Sequence, residues 1–186
     1  NQRWSFLARL KLGYGNGYGT ANGVDQILPF NQNFGAGGND SLRGFENNTV
    51  GPRGVQLTPS AIRDIDGNII YGSPENDTVT ISSRSLGGNA MILGGVELIV
   101  PTPFVEADFD NSVRTSLFID VGNVWDTEFR YDRYKDLTLN QQFNNDPLED
   151  YSDYKLYRAS GGLSVQWLSP MGPMVFSFSK AIESRE

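Results

Sequence analysis

The sequence contains neither cysteine nor histidine. Without cysteine, the chain cannot form a disulfide framework or a thiolate metal site. Without histidine, it has no histidine-based catalytic triad, and it lacks the usual imidazole metal ligand and the usual side chain that titrates near neutral pH. There is also no run of 18 apolar residues, so no transmembrane helix is predicted. The chain opens directly on a strand-like segment, and no signal peptide is recognisable.

Positive charge is also scarce relative to negative charge. The chain has 22 acidic and 15 basic residues among 186, which gives a formal net charge of −7. Nucleic-acid-binding proteins present basic surfaces, so this balance argues against a nucleic-acid partner. The mean hydropathy of −0.38 is too low for a helical membrane protein. It is compatible with a β-barrel, whose lumen and loops are polar.

The most informative positive feature is a long alternating segment, Asn111–Thr127. Side chains in a strand alternate between two faces, so this pattern predicts one aliphatic face and one face that is mostly polar or small. Its length fits a tilted strand that crosses a bilayer, which needs roughly 9–11 residues. The aliphatic face is Val113, Thr115, Leu117, Ile119 and Val121, and the other face is Arg114, Ser116, Phe118, Asp120 and Gly122.

The same alternation recurs in four further segments: Trp4–Tyr14, Ala90–Val100, Ala159–Leu168 and Met174–Lys180. In the first of them aromatic residues stand at both ends of the apolar face, as the two interfacial girdles of a barrel require. The sequence therefore predicts an all-β fold, an antiparallel meander of about five long strands. Periodicity alone does not separate a transmembrane barrel from a soluble β-sandwich that buries its apolar face.

The connections between these strands are of very unequal length. Asn16-Gly17 predicts a tight turn after the first strand. Residues 20–89 then form one very long polar connection without sustained periodicity, except for a short hairpin predicted around Asp66-Gly67. A second polar connection covers residues 127–156, whereas the proline-containing segments at 101–103 and 169–173 predict tight turns. One very long loop, one long loop and short turns are typical of an outer-membrane barrel.

Several motifs resemble binding sites only superficially. The glycines of Gly13–Gly19 do not fit a dinucleotide-binding or phosphate-binding loop, and a turn is the favoured interpretation. The segment Asp64–Asn68 lacks the spacing and the terminal glutamate of a calcium loop. An acidic cluster in the second connection could hold a hard cation, but a solvated loop is favoured there; its members are Asp146, Glu149, Asp150 and Asp153. No cofactor, metal site or catalytic residue is predicted.

The segment Leu42-Arg43-Gly44-Phe45, deep in the long connection, is different. Gly44 permits a sharp bend, and Phe45 could anchor the loop tip in an apolar niche. Arg43 offers five donors in a planar fork that matches carboxylates. The two carboxylates on the inward faces of predicted strands are Glu97 and Asp120. A loop folded back into a barrel lumen would bring Arg43 to both, with Asp120 as its main partner.

Leu42–Phe45 resembles the V/I-R-G-F motif in the sixth extracellular loop of the BamA family, the outer-membrane protein assembly factors of Gram-negative bacteria. Other blocks are similar to the same family: G-G-N-A-M, V-E-L-I-V-P-T-P-F, N-S-V-R-T-S-L-F-I-D-V-G-N-V-W-D-T and V-Q-W-L-S-P-M-G-P-M-V-F-S-F-S. The resemblance covers nearly the whole chain and implies a 16-stranded transmembrane β-barrel. It implies further that soluble POTRA domains receive unfolded outer-membrane proteins, and that a lateral seam templates their strands by β-augmentation.

Compared with that family pattern, the chain departs in ways that limit the expectation. The POTRA domains, the first ten strands and the terminal sixteenth strand are absent from it. The whole chain, residues 1–186, is therefore expected to be a fragment, the C-terminal part of such a barrel. It is expected to comprise a strand (1–19), the long loop (20–89), and further strands and loops (90–183). Five strands cannot close a barrel, and open edges promote association. The fragment alone is therefore expected to be inactive, and either detergent-bound or homo-oligomeric.

The resemblance implies a function in folding and inserting outer-membrane β-barrel proteins, with no enzymatic step. The implied partners are unfolded outer-membrane proteins, accessory lipoproteins and outer-membrane lipid, and the implied location is the bacterial outer membrane. Two alternatives remain open: a related transporter, similar to TamA or to the two-partner secretion family, and a soluble β-sandwich binding module. Exposure of Leu117, Ile119 and Val121 would distinguish a barrel from a sandwich.

Overall fold

The computed structural model describes residues 4–21, 23–58, 61–71, 78–102, 112–133 and 149–183. Within these ranges the chain is almost entirely β-structure, and its only helical segments are two short 3₁₀ turns, Phe30–Gln32 and Tyr131–Arg133. No helix among them is long and apolar enough to cross a membrane. The predicted all-β fold is confirmed.

The main sheet has five antiparallel strands in the order β1-β8-β9-β10-β11. Their bounds are Ser5–Tyr14, Ala90–Val100, Val113–Trp125, Arg158–Ser169 and Gly172–Glu183. All five correspond to the predicted strands. The sheet is a meander whose first connection, between β1 and β8, contains the long loop. The last connection is a tight turn in which Ser169 pairs with Gly172, as the proline-containing segment predicted.

The two faces of this sheet differ as the alternation predicted. Leu117, Ile119 and Val121 are 50%, 53% and 42% exposed, which excludes the soluble sandwich that would bury them. We call their side the outer face. Leu117 pairs with Leu98 on one side and with Leu163 on the other, so the apolar residues form continuous rows across the strands. The opposite side, the inner face, is covered in part by the long loop.

The described part of the long loop contains three small two-stranded sheets. β2 (Thr20–Ala21) pairs with β3 (Val24–Asp25), β4 (Arg53–Thr58) with β7 (Thr78–Ser85), and β5 (Ala61–Arg63) with β6 (Ile69–Tyr71). The predicted hairpin around Asp66-Gly67 is the β5–β6 pair. The β4–β7 pair was not predicted, because each strand alternates over only six to eight residues and the partners are distant in sequence.

Asn16-Gly17 does not form the predicted tight turn, and this prediction was wrong. The chain reverses instead between β2 and β3, where Gly23 has a φ of 76°. Gly17 is required for a different reason: a Cβ there would lie 1.6 Å from the carbonyl oxygen of Gln26. Close backbone contacts favour glycine just as tight turns do, so the glycine at position 17 did not distinguish between them.

The hydrophobic core lies between the long loop and the inner face of the sheet. Its buried members are Ala36, Leu42, Val50, Met91, Leu93 and Val124, and Phe34 and Phe45 pack against them. Three members come from the loop and three from β8 and β9. The loop is therefore packed against the sheet as a part of the same core, and this packing places the tip of the loop on the strands.

The second connection is described at its two ends only. Asn123 of β9 donates hydrogen bonds to the carbonyl oxygens of Asp153 and Tyr154, at 3.2 and 3.1 Å, and is 1% exposed. These bonds hold the C-terminal part of the connection against the C-terminal end of β9. Asp146 of the acidic cluster and Pro103 of the predicted turn lie outside the described residues.

Candidate functional site

The predicted loop motif, Leu42–Phe45, lies on the inner face. Leu42 is fully buried in the core and Phe45 packs against the same cluster. Gly44 has a φ of 93°, a conformation that residues with a Cβ rarely adopt. A Cβ at Gly44 would lie 3.0 Å from the Cβ of Ser160 on β10. Apolar anchors on both sides of Arg43 and a bend immediately after it thus fix the direction of its side chain.

Arg43 forms a bidentate ion pair with Asp120 of β9. Its Nε and Nη2 donate to the two carboxylate oxygens at 2.7 and 3.0 Å, and its backbone N–H donates to Oδ2 at 3.3 Å. Its Nη1 donates to Glu97 of β8 at 3.3 Å. Asp120 has no solvent exposure, and the Arg43 side chain is 7% exposed. The three charged residues singled out from the sequence are therefore in contact.

Three further residues complete the surroundings of Arg43, and sequence reasoning did not identify them as site residues. The guanidinium carbon lies 3.5 Å from the centre of the Phe118 ring, a cation–π contact. The hydroxyl of Ser160 donates to the carbonyl oxygen of Arg43, and the hydroxyl of Ser116 donates to Glu97 at 2.5 Å. Ser116 and Phe118 could have been recognised from the sequence, because they alternate in the same phase as Asp120 and therefore lie on the same face of β9.

A second arginine, Arg9 of β1, also contacts Asp120. Its Nη2 lies 2.8 Å from Oδ1 of Asp120, and the same nitrogen donates to the carbonyl oxygen of Ser41 at 3.1 Å. The alternation along β1 indicates which face of the strand carries Arg9. The strand register that aligns Arg9 with Asp120 could not be known from the sequence. The complete cluster has two cations, Arg9 and Arg43, and two anions, Glu97 and Asp120.

The charge balance of this cluster keeps Arg43 ionised. Burial alone would lower the pKa of Arg43, but the hydrogen bond and attraction of Asp120, followed by those of Glu97, outweigh burial and raise it above its ordinary value. The two carboxylates therefore favour the charged form of Arg43. The cluster is suited to hold a loop in place.

The other acidic motifs have local partners. Glu149 pairs with Arg158 at 3.1 Å, and Asp150 and Asp153 accept hydrogen bonds from the backbone two residues later in the chain. The described residues contain no group of three or more carboxylates arranged around a metal position. Hydrogen bonds donated by the backbone and side chain of Asn68 lower the pKa of Asp64, so this carboxylate caps the β5–β6 turn.

The comparison with known proteins agrees with the fold. The profile of the Omp85 superfamily domain matches residues 1–186, the whole chain. The chain belongs to the Omp85 superfamily. Members of this superfamily are outer-membrane β-barrel proteins, and strands of such barrels have one apolar face toward lipid and one polar face toward the lumen.

Two Omp85 proteins show the similarity in detail. The outer membrane protein assembly factor BamA of Neisseria meningitidis serogroup B is 32% identical over 194 residues, which cover all of this chain and 21% of that protein. The crystal structure of BamA from Haemophilus ducreyi lacking POTRA domains 1–3 has a TM-score of 0.69 and 35% identity, over 98% of this chain and 29% of that one. The chain thus spans less than a third of the length of each relative.

Proposed function

We propose that the protein to which this chain belongs folds and inserts β-barrel proteins into the bacterial outer membrane. The two similar proteins are BamA proteins, one of them named as an assembly factor, and they match over 98% or more of the chain. The observation that carries the proposal is the ion-paired docking of the loop motif, with Arg43 on Asp120 and Glu97. The work requires no covalent chemistry, because strand pairing and burial supply the driving force.

The docked loop acts in this proposal as an internal brace of the barrel wall. Its tip contacts Arg9 on β1, Glu97 on β8, Asp120 on β9 and Ser160 on β10. One loop segment thereby fixes the relative positions of four neighbouring strands. A wall held in this way can keep its curvature while strands elsewhere in the barrel separate to accept a client.

The proposed partners follow from the two faces and from the resemblance. Lipid contacts the outer face, where Leu117, Ile119 and Val121 are exposed. Unfolded outer-membrane proteins are the clients, which gain strands by β-augmentation at an open seam. Accessory lipoproteins are further proposed partners of the complete protein.

The test is an assembly assay with the complete protein in liposomes and an unfolded barrel client. Arg43→Ala should slow client folding, whereas Arg43→Lys should retain part of the rate because it keeps the charge but loses the bidentate fork. Arg84→Ala is the matched control, since Arg84 is an exposed arginine of the same loop. Client folding at the parental rate in Arg43→Ala would contradict the proposed role of the motif.

The same assay separates assembly from the transporter alternative. Complete protein that exports a soluble polypeptide and does not accelerate the folding of any barrel client over empty liposomes would identify a transporter. Acceleration of client folding supports the assembly function.

A further inference from the structure

The carboxylate of Asp120 is saturated with donors. It accepts from Nε, Nη2 and the backbone N–H of Arg43, and from Nη2 of Arg9. A carboxylate has about four lone-pair sites. Asp120 has no solvent exposure while both arginines are in place. Arg9 is therefore an integral donor to the cluster, although its own side chain is 39% exposed.

Arg9 reaches Asp120 across an intervening strand. In the register of the sheet, Arg9 pairs with Gly95 of β8, and Gly95 pairs with Asp120 of β9. Adjacent strands lie about 4.8 Å apart, so the side chain of Arg9 has to pass over the backbone of β8. A Cβ on Gly95 would lie 2.5 Å from Oδ1 of Asp120 and 2.7 Å from Nε of Arg9. The gap at Gly95 is what permits the bridge.

The same nitrogen of Arg9 also holds the loop. Nη2 has two hydrogens, and it lies within hydrogen-bonding distance of both Asp120 and the Ser41 carbonyl oxygen. Ser41 is two residues before Arg43, so the hydrogen bond from Arg9 anchors the loop segment directly before the motif to β1. Arg43 anchors the motif itself to the carboxylate of Asp120, which Arg9 also contacts.

We infer that Arg9 is a positioning residue that pins the docked loop to the barrel wall through Asp120 and Ser41, and that Gly95 is required for it. This inference deepens the proposed brace and rests on it. Arg9 acts through the position of the loop and not through contact with a client.

The test measures the position of the loop directly in the complete protein reconstituted in lipid. Cysteines introduced at Asp40 and Gln166, both exposed, carry spin labels whose distance distribution reports the docked and undocked populations. Arg9→Met should raise the undocked-to-docked ratio about twofold to fivefold, the effect of losing a partly exposed ion pair. Arg9→Lys should restore most of the docked population, since an ammonium can donate to both oxygens.

Lys11→Met is the matched control, because Lys11 lies on the same strand and face as Arg9 and its ammonium has no ion-pair partner among the described residues. A parental distance distribution in Arg9→Met, or an equal shift in Lys11→Met, would overturn the inference. If Arg9→Met does not fold, Gly95→Ala gives the same test with all four charges present. It should shift the distribution in the same direction, and a parental distribution in this variant would likewise overturn the inference.

Client folding is measured on the same samples as a separate readout. A shifted loop with parental client folding supports the positioning role of Arg9 and contradicts the brace as part of assembly. An unshifted loop overturns the positioning role whatever the client does. The two failures are therefore distinguishable.

Discussion

Among single residues, Asp120 has the largest energetic influence on the cluster. Removing one partner of a buried ion pair is costly mainly because it strands the other charge. Loss of Arg43 leaves Arg9 on the carboxylate, so Asp120 is not stranded completely. Loss of the Asp120 charge deprives both arginines of their common partner, and Arg43 is almost fully buried. The shared geometry therefore makes the acid more important than either base.

We predict that Asp120→Asn lowers the free energy of unfolding by about 3–5 kcal/mol, the range for a broken buried pair. Glu97→Gln should cost less than about 1 kcal/mol, because Glu97 is 21% exposed and water can compensate Arg43 there. Denaturant unfolding of the complete protein in detergent measures both. A larger loss in Glu97→Gln than in Asp120→Asn would show that the cluster is not centred on Asp120.

Among the structural elements, the strands determine which substitutions the membrane tolerates. Leu117 and Val175 are each 50% exposed, but they lie on opposite faces of the sheet. They form a pair with equal exposure on faces that meet different media. Ser116, on the inner face, is unsuitable for this comparison because it is 2% exposed and donates to Glu97.

Leu117→Arg is predicted to destabilise the barrel by about 2–4 kcal/mol if the residue lies near the midplane of the membrane. Val175→Arg should cost much less, because its side chain points to a wet lumen. Unfolding titrations of the complete protein in lipid vesicles give both values. Equal penalties at the two positions would be inconsistent with the alternation and with a lipid-facing outer face.

Lys180 is an exception to the apolar outer face of β11. It lies on the same face of β11 as Phe176, Phe178 and Ile182, and it pairs with Gly161 of β10, which has no side chain. A lysine on the lipid face costs about 2–4 kcal/mol at the midplane and 0–1 near an interface. Lys180→Leu should therefore stabilise the barrel in lipid, and Lys11→Leu, on the inner face, should not. Thermal unfolding in vesicles measures both, and a lower melting temperature for Lys180→Leu would refute this prediction.

At the scale of the whole molecule, the outer face and the two edge strands determine how the 186-residue chain behaves by itself. Its outer face exposes large apolar side chains on all five strands, far more than the few hundred Å² that a soluble monomer tolerates. Within the described residues, β1 and β11 are the two edge strands of the sheet, and each has one edge without a strand partner. Association through the outer faces, in a two-fold arrangement, is the simplest way to remove that surface from water.

Expressed alone, the chain is predicted to require detergent or to form a homo-oligomer, and light scattering at several concentrations measures this. A stable monomer in detergent-free buffer would contradict it. The isolated chain should also leave the folding of an unfolded client barrel in liposomes at the rate of empty liposomes. Any acceleration would show that these five strands and their loops suffice for assembly.

The sequence by itself determined the five strands, their faces and the pairing candidates of Arg43. Side-chain alternation is a local property of a strand, so Val113–Val121 and the inward parity of Glu97 and Asp120 could be identified without knowing any contact. The tertiary structure decided the role of Arg9 and Gly95, the partners of β4 and β7, and the use of Gly17. Each of these depends on register or on close approach between segments far apart in sequence, and neither quantity is encoded in the local pattern of residues.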